Sequence, residues 1–320
     1  MIRVDYFNRM LNIWYRTDLM IKSRPITLLL TCLALAACQA TPQSPAQEST
    51  PGAELSVLAA ETFLADIAQN VAGERVAVES ILPLDLDPHT YEPTPQDLVK
   101  ITNSQLLIVN GAGFEFWMDE LIENRGGEQL VIEASEGLAE SSERPGDPHF
   151  WLDPVSVITY VENIRDGLST VDPAGEPVYR RNAAAYIDEL KMLDVWIMDD
   201  VKQLPKERRI LVTNHESFGY YADRYGFEII GTIIPSASTG SSPSAQQLVQ
   251  LVDEIRRTNA PAIFLESGSN PQLAEQVARE TDVKVIGDLY THSISPPDGA
   301  APSYLDMMMY NTRTIVEALK

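Results

Sequence analysis

Short apolar runs that alternate with longer helical patterns constrain the fold of this chain more than any other feature of its 320 residues. Apolar runs bounded by turn residues are typical of strands buried on both faces, and the helical patterns between them supply the crossovers that parallel strands need. The alternation therefore predicts an α/β protein with parallel sheets covered by helices. We predict strands at 55–59, 76–82, 106–110 and 130–132, and then at 210–213, 228–233, 262–266 and 283–286. We predict helices at 61–72, 94–102, 217–225, 244–258 and 272–281.

One long helix is predicted between the two series. Residues 182–203 contain no Pro or Gly and carry Ala, Leu, Met, Ile and Val at helical spacing. At a rise of 1.5 Å per residue, about 25 residues extend about 40 Å, which is long enough to run along two lobes. The fold expected is two βα lobes with parallel sheets joined by one long spine helix. The N-terminal lobe is predicted at 55–176, the linking helix at 177–205 and the C-terminal lobe at 206–320.

The segment before the first strand predicts export. An apolar stretch at 26–37 follows Lys22 and Arg24 and ends in small residues, and it is too short to span a bilayer. This is the layout of a secretory signal peptide, predicted at 1–37, with Met20 as an alternative start of translation.

The residues around the second cysteine indicate a lipid anchor. Leu35-Ala36-Ala37-Cys38 resembles the lipobox of bacterial lipoproteins, which implies cleavage before Cys38 and acylation of its thiol. The alternative is an ordinary cleavage site that abuts a cysteine. Residues 38–54 are rich in Pro, Ser, Thr and Gln, so we expect a flexible tether there. The protein is then a periplasmic or cell-surface lipoprotein held at the membrane through Cys38.

Charge and cysteine content restrict the partners and the ligands. The formal net charge is -22, with 46 acidic and 24 basic residues, which argues against a nucleic-acid partner. Cys32 and Cys38 are the two cysteines, and both precede the predicted lobes. Residues 55–320 therefore offer no thiolate, and any metal site there must use nitrogen and oxygen ligands.

Four histidines are the candidate metal ligands. Each follows an apolar run in a loop-like context, and ligands of open parallel sheets bind beyond the carboxyl ends of the strands. Taken singly, a histidine in such a context is more commonly an ordinary surface or capped residue than a ligand, so the prediction depends on the common placement of all four. They are His89, His149, His215 and His292.

Carboxylates near these histidines are candidates to hold the imidazole rings. Asp87-Pro88 precedes His89 and Asp147-Pro148 precedes His149, and proline fixes the local backbone so that the next ring can be aimed. A neighbouring carboxylate can accept the second ring N–H and fix the tautomer of a ligating histidine. The candidates are Asp87, Asp147 and Glu216, together with Glu266 at the end of a predicted strand.

Several motifs resemble one protein family. The segments DPHTYEPTPQDL (87–98), NGAGFEFWMD (110–119), DPHFWLDP (147–154) and TNHESFGYYADRYGFE (213–228) stand in the same order as in the zinc- and manganese-binding lipoproteins of bacterial ABC importers. The resemblance spans nearly all of 55–320. It implies a metal ion held in the cleft between two βα lobes, an ABC permease as the partner, and a monomer that captures and delivers the ion rather than an enzyme.

The resemblance also assigns the ligands. His89 and His149 match the two ligands of the N-terminal lobe, and His215 matches a position that is His in zinc-type members and Glu in manganese-type members. The fourth ligand of the family is usually an Asp, whereas this chain has His292 there, so Asp288 or a water molecule is the alternative. Imidazole suits zinc better than manganese, so Zn2+ is the expected ion. Mn2+ or Fe2+ and a surface adhesin with a structural metal are the alternatives.

Two other interpretations are less favoured. His215-Glu216 begins a metalloprotease-like HExxH pattern, but residue 219 is Gly219, so the second histidine is missing. Residues 236–245 (SASTGSSPSA) could cradle an anion, although a loop beside the metal cleft that caps the helix after Pro243 fits the residues better.

Overall fold

The structure, a computed structural model, describes residues 55–118, 122, 129–139 and 144–320. The predicted signal peptide, the lipidation site at Cys38 and the tether lie outside the described residues. Within the described part of the chain, no helix is both long enough and apolar enough to cross a bilayer. Both sheets described below belong to one unit that spans 53–320.

Two parallel sheets, each of four strands, form the centres of the two lobes. In the N-terminal lobe the order is β2-β1-β3-β4, and in the C-terminal lobe it is β6-β5-β7-β8. The strands of the first sheet are β1 (Val57–Ala59), β2 (Val78–Ser80), β3 (Leu106–Val109) and β4 (Leu130–Glu133). The strands of the second are β5 (Ile210–Thr213), β6 (Glu228–Thr232), β7 (Ala262–Glu266) and β8 (Lys284–Leu289).

Helices pack against both sheets. Their bounds are α1 (Thr62–Ala72), α2 (Pro95–Asn103), α3 (Val157–Val171), α4 (Glu176–Val201), α5 (Gly219–Tyr225), α6 (Ala245–Thr258), α7 (Gln272–Thr281) and α8 (Tyr304–Leu319). The predicted cap before α6 is present, because the Ser244 hydroxyl accepts from the backbone N–H of Gln247 at 3.3 Å while the Ser244 backbone N–H donates to the Gln247 side chain at 2.8 Å. These reciprocal bonds fix the end of the loop at 236–244.

The long helix α4 is the spine of the molecule. Its buried side chains recur every three or four residues and so form one apolar face. This face packs against α1 and α3 of the N-terminal lobe and against α5 and α8 of the C-terminal lobe. One hydrophobic core therefore continues from one lobe to the other. The buried residues of this face are Tyr179, Ala183, Tyr186, Leu190, Leu193, Ile197 and Val201.

The predicted fold of two parallel α/β lobes with one long helix is confirmed. The main difference lies in β8, which was predicted to end at Ile286 and instead ends at Leu289. Gly287 and Asp288 are residue types that are common in turns, and Asp288 adopts a positive φ of 65°. The strand nevertheless resumes because Leu289 pairs with Glu266 of β7 beyond a break in register.

Candidate metal centre

The four histidines lie beyond the carboxyl ends of strands in both lobes. His89 follows β2 and His149 follows β4, whereas His215 is two residues beyond β5 and His292 is three residues beyond β8. The carboxyl ends of the two sheets face each other, so each lobe contributes two imidazole rings to one place. The structure therefore brings together all four histidines that the sequence singled out.

The nitrogen atoms of these rings converge on one point. The Nε2 atom of His149 lies 3.2 Å from that of His215 and 3.4 Å from that of His292. One nitrogen from each of the four rings lies within 4.8 Å of the other three. Ligands about 2.0 to 2.1 Å from a tetrahedral zinc ion are separated by about 3.3 to 3.4 Å. The two Nε2 distances from His149 agree with the separation of ligands in such a site.

The centre is shielded from water. His149 and His215 are fully buried, His89 is 4% exposed and His292 is 9% exposed. The Nε2 atom of His89 has no hydrogen-bond partner among the described residues. A buried nitrogen that is left unpaired costs free energy, and a metal ion at the centre would satisfy it.

The two Asp-Pro-His turns have the same local geometry. The Asp87 carboxylate accepts from the backbone N–H of His89 at 2.9 Å, and the Asp147 carboxylate accepts from that of His149 at 3.0 Å. Proline supplies a fixed φ in the middle of each turn and has no N–H of its own to compete for the carboxylate. The N-terminal lobe therefore contains two copies of the same turn, each of which orients a histidine.

Two buried carboxylates face the outer nitrogens of two rings. Asp147 Oδ1 lies 2.7 Å from His149 Nδ1, and Glu266 Oε1 lies 2.7 Å from His215 Nδ1. A carboxylate in this position favours the tautomer with a proton on Nδ1 and leaves the lone pair of Nε2 directed at the centre. Asp147 and Glu266 are each only 5% exposed.

The other two predicted carboxylates have different surroundings. Asp87 contacts the backbone of His89, and its second carboxylate oxygen accepts from the Thr239 hydroxyl of the opposite lobe. Glu216 is exposed and lines a groove together with Asp147 and with Gln247 of α6. Asp288, the alternative fourth ligand, is exposed and does not belong to the cluster.

Burial sets the protonation of three of the rings. Loss of solvent, reinforced by neighbouring imidazoles, lowers the pKa of His89 to about 3 and holds the pKa of His149 and of His292 well below the usual value. Neutral imidazole is the form that binds metal, so these rings are ready to act as ligands near neutral pH.

The pKa values of His215 and Asp147 are raised rather than lowered. Burial lowers the pKa of His215, but the charges of Glu266, Asp87 and Asp147 outweigh that effect and the pKa is raised overall. Burial also raises the pKa of the Asp147 carboxyl to about 7. A divalent cation at the centre would displace protons from both groups.

Aromatic side chains wall the centre. Phe114 packs edge-on against His89 with ring centroids 4.9 Å apart, and Trp151 lies 5.1 Å from His149. The Trp151 indole N–H donates to the backbone carbonyl of Thr291 at 2.6 Å, which ties it to the residue before His292. The sequence analysis did not single out Phe114, and the motif NGAGFEFWMD, which contains it, was the available signal.

Further contacts cross from the N-terminal lobe to α5. The Tyr220 hydroxyl donates to the backbone carbonyl of Asp147 at 3.0 Å, and its ring stacks on Phe150 at 4.6 Å. Arg144 forms a two-point ion pair with Asp223. These contacts surround the turn that presents His149, so the position of this ring depends on both lobes.

Two parallel α/β lobes on a spine helix, with four buried imidazoles converging between them, define a metal-ion-binding protein. The model of the family "Zinc-uptake complex component A periplasmic" matches residues 57–318, which is most of the chain. The chain belongs to this family, the metal-binding solute-binding proteins of ABC importers.

Several relatives match this chain over nearly their whole length. The chain is 34% identical to the "Manganese-binding lipoprotein MntA" of Halalkalibacterium halodurans over 85% of this chain and 90% of that one. It is 34% identical to the "Iron-binding protein YfeA" of Yersinia pestis over 82% and 86% of the two chains. The solved structure of the "periplasmic zinc binding protein TroA" of Treponema pallidum is 29% identical, with a TM-score of 0.79 over 83% of this chain and 99% of that one.

Proposed function

We propose that this protein captures zinc outside the cytoplasm and delivers it to an ABC-type permease. The observation that carries the proposal is the convergence of four buried imidazoles, with Nε2 atoms 3.2 and 3.4 Å apart, at the spacing of tetrahedral zinc ligands. Family membership supports the transport role, because relatives in this family are named as parts of metal importers.

The donor set favours zinc over manganese. Imidazole nitrogen suits zinc, copper, iron and nickel, whereas manganese prefers carboxylate and carbonyl oxygen. In this chain all four members of the cluster are histidines. The relatives named for manganese and iron support the alternative, a receptor for Mn2+ or Fe2+, and only competition between ions decides between the two.

The remaining features of the proposal follow from binding rather than catalysis. Four nitrogen ligands fill a tetrahedral shell and leave no position for a reactive water molecule, so we propose that the protein is not an enzyme. The lipobox-like segment supports export and anchoring through Cys38, and we propose a monomer at the membrane surface. A metal-dependent adhesin is the second candidate role, favoured only by the resemblance of the sequence to lipoproteins of that kind.

The test is the binding stoichiometry and its effect on stability. Metal-free protein titrated with zinc should take up one ion per chain, and its melting temperature should rise with the concentration of free zinc, because the ion binds only the folded state. The same titration with manganese in competition should leave zinc bound. Failure of zinc to bind, or preferential retention of manganese, would refute the zinc proposal.

A further inference from the structure

Glu266 occupies a special place in the C-terminal sheet. It is the last residue of β7, and β7 lies between β5 and β8 in the strand order. His215 follows β5 and His292 follows β8. The topology of the sheet therefore places one carboxylate between the two strands that present the C-terminal ligands.

The two oxygens of this carboxylate face different histidines. Glu266 Oε1 lies 2.7 Å from His215 Nδ1, and Glu266 Oε2 lies 3.7 Å from His292 Nδ1. Both are ion-pair distances, and the first is short although its alignment is not that of a regular hydrogen bond. The Ser217 hydroxyl donates to Oε1 at 3.0 Å and holds the carboxylate in this orientation.

An irregularity in the strand pairing lies beside this carboxylate. The register of β7 with β8 shifts between Phe264 and Glu266, so that Glu266 pairs with Leu289. Such irregularities in a ladder commonly turn a side chain toward a site. The shift lies in the strand segment that bears Glu266, next to the pair of histidines.

Among the described residues, no lysine or arginine side chain forms an ion pair with Glu266. The residue is 5% exposed, and among the described residues its ion-pair partners are His215 and His292 alone. Isolated charges are costly to bury. A divalent cation bound by His215 and His292 would offset the negative charge of the Glu266 carboxylate, with the imidazole rings lying between the two.

The geometry points to Glu266 as the residue that sets the ion preference of the centre. Its single carboxylate orients His215 and His292 together as neutral nitrogen ligands, and it keeps its negative charge outside the set of ligand atoms. With Asp147 behind His149, two such carboxylates balance the charge of a divalent ion bound only by nitrogen. This arrangement selects ions that accept four nitrogens over ions that require carboxylate oxygen. The inference rests on the proposed function, because it explains how a zinc-type donor set is assembled.

The decisive substitution is Glu266→Gln, which keeps the size of the side chain. The amide has one acceptor oxygen, and its NH2 group faces a ring nitrogen that already carries a proton, so one of the two histidines loses its partner. Loss of a carboxylate behind a ligating histidine typically lowers metal affinity by about 10- to 100-fold. We expect a loss of this size for zinc and a smaller loss for manganese, so that the zinc-to-manganese affinity ratio falls.

Cobalt(II) gives a readout that a general loss of stability would not change. Four nitrogen ligands in a tetrahedron give bound Co2+ an intense visible absorption, and this absorption weakens when a ligand is lost or the coordination number rises. The wild type should show the intense bands and Glu266→Gln should show weaker, shifted bands at saturating Co2+. The shorter Glu266→Asp, which keeps the charge, should restore part of the zinc affinity.

Glu216→Gln is the matched control. Glu216 directly follows His215 in the chain, yet it is exposed and does not belong to the histidine cluster. This substitution should leave zinc affinity and the Co2+ spectrum unchanged. If Glu266→Gln does not fold, Ser217→Ala tests the same contact, because it removes the hydroxyl that orients Oε1, and a loss of zinc affinity of about three- to tenfold is expected.

The outcomes separate this inference from the proposed function. If the wild type binds one zinc and Glu266→Gln binds zinc and Co2+ as the wild type does, the role of Glu266 is refuted while the zinc receptor stands. Equal losses in Glu216→Gln and Glu266→Gln would also refute it. If the wild type fails to bind zinc, both the proposed function and this inference are overturned.

Discussion

His292 is the residue that most distinguishes this centre. The family resemblance predicts an aspartate at the fourth position, and the structure places the His292 ring with its Nε2 atom 3.4 Å from that of His149. An aspartate there would contribute an oxygen ligand and a negative charge, whereas the histidine contributes a nitrogen and no charge. The choice at this one position therefore affects both the donor set and the charge balance.

We expect His292→Asp to move the ion preference from zinc towards manganese. Manganese gains an oxygen ligand and zinc loses a nitrogen ligand, so the ratio of the zinc to the manganese dissociation constant should rise at least about tenfold. Competition titrations of the two ions against the wild type and the variant measure this ratio. An unchanged ratio would mean that His292 does not bind the ion.

We expect acid to weaken zinc binding because two groups, rather than four, must lose a proton when zinc binds. The pKa of His89 is lowered to about 3 and the pKa values of His149 and His292 are well below the usual range, so these rings stay neutral in mild acid. His215 has a raised pKa and Asp147 has a pKa of about 7, so both are protonated in the metal-free protein below those values and must lose their protons to bind zinc. Between about pH 5 and 6, the logarithm of the dissociation constant should rise by about two per pH unit of acidification.

Calorimetric titration with zinc at several pH values measures this slope. Asp147→Asn removes one of the two titrating groups and retains an acceptor oxygen for the ring of His149, so it should reduce the slope to about one. A slope approaching four in the wild type would mean that all four histidines have ordinary pKa values, contrary to their burial.

At the scale of elements, the sequence predicts where strands and helices occur but not which ones are neighbours. The apolar periodicity predicted the bounds of β7 correctly, including its last residue. The two Asp-Pro-His turns were recognisable from three residues each. The strand order β6-β5-β7-β8, which puts Glu266 beside two histidines, depends on packing between distant parts of the chain. For this reason chain proximity suggested Glu216 as strongly as Glu266, although the structure places Glu216 on the surface.

The spine helix α4 is tied to the C-terminal lobe by a buried carboxylate. Asp194 is 7% exposed and accepts from the Arg224 guanidinium at 2.8 and 2.6 Å and from the Tyr225 hydroxyl at 3.1 Å. Arg224 and Tyr225 belong to α5, the helix whose Tyr220 contacts the turn that presents His149. The helix α5 therefore contacts both the spine helix and the turn that presents His149.

We expect Asp194→Asn to lower the free energy of unfolding by about 2 kcal/mol, because hydrogen bonds to a charged partner are weakened and Arg224 loses its buried counter-ion. Chemical denaturation of the metal-free protein measures the loss. Asp188→Asn on the same helix is the control: Asp188 is exposed and pairs with Lys191 at 3.3 Å, so its loss should cost less than about 0.5 kcal/mol. Equal effects of the two substitutions would contradict the role of Asp194.

At the scale of the whole molecule, the centre exists only where the two lobes meet. The sequence predicted two lobes and a long helix, because these follow from local periodicity. The contacts that close the lobes over the centre could not be predicted, because each joins residues more than 70 positions apart that carry no pattern of their own. Thr239 is an example: it lies in a loop that sequence reasoning placed beside the cleft, and its hydroxyl reaches Asp87 of the opposite lobe.

This contact between Thr239 and Asp87 should slow the release of zinc. Asp87 holds the backbone of His89, so the hydroxyl of Thr239 connects the loop before α6 to a ligand-bearing turn of the other lobe. Thr239→Val keeps the shape of the side chain and removes the donor, and a lost hydrogen bond of about 1.4 kcal/mol corresponds to about tenfold faster dissociation. Stopped-flow chelation of zinc from the loaded protein measures this rate, while the association rate should change little.

Thr258→Val is the control, because the Thr258 hydroxyl bonds only within α6, to the Glu254 carbonyl at 2.8 Å. Equal dissociation rates for the wild type and both variants would show that opening of the lobes does not limit zinc release.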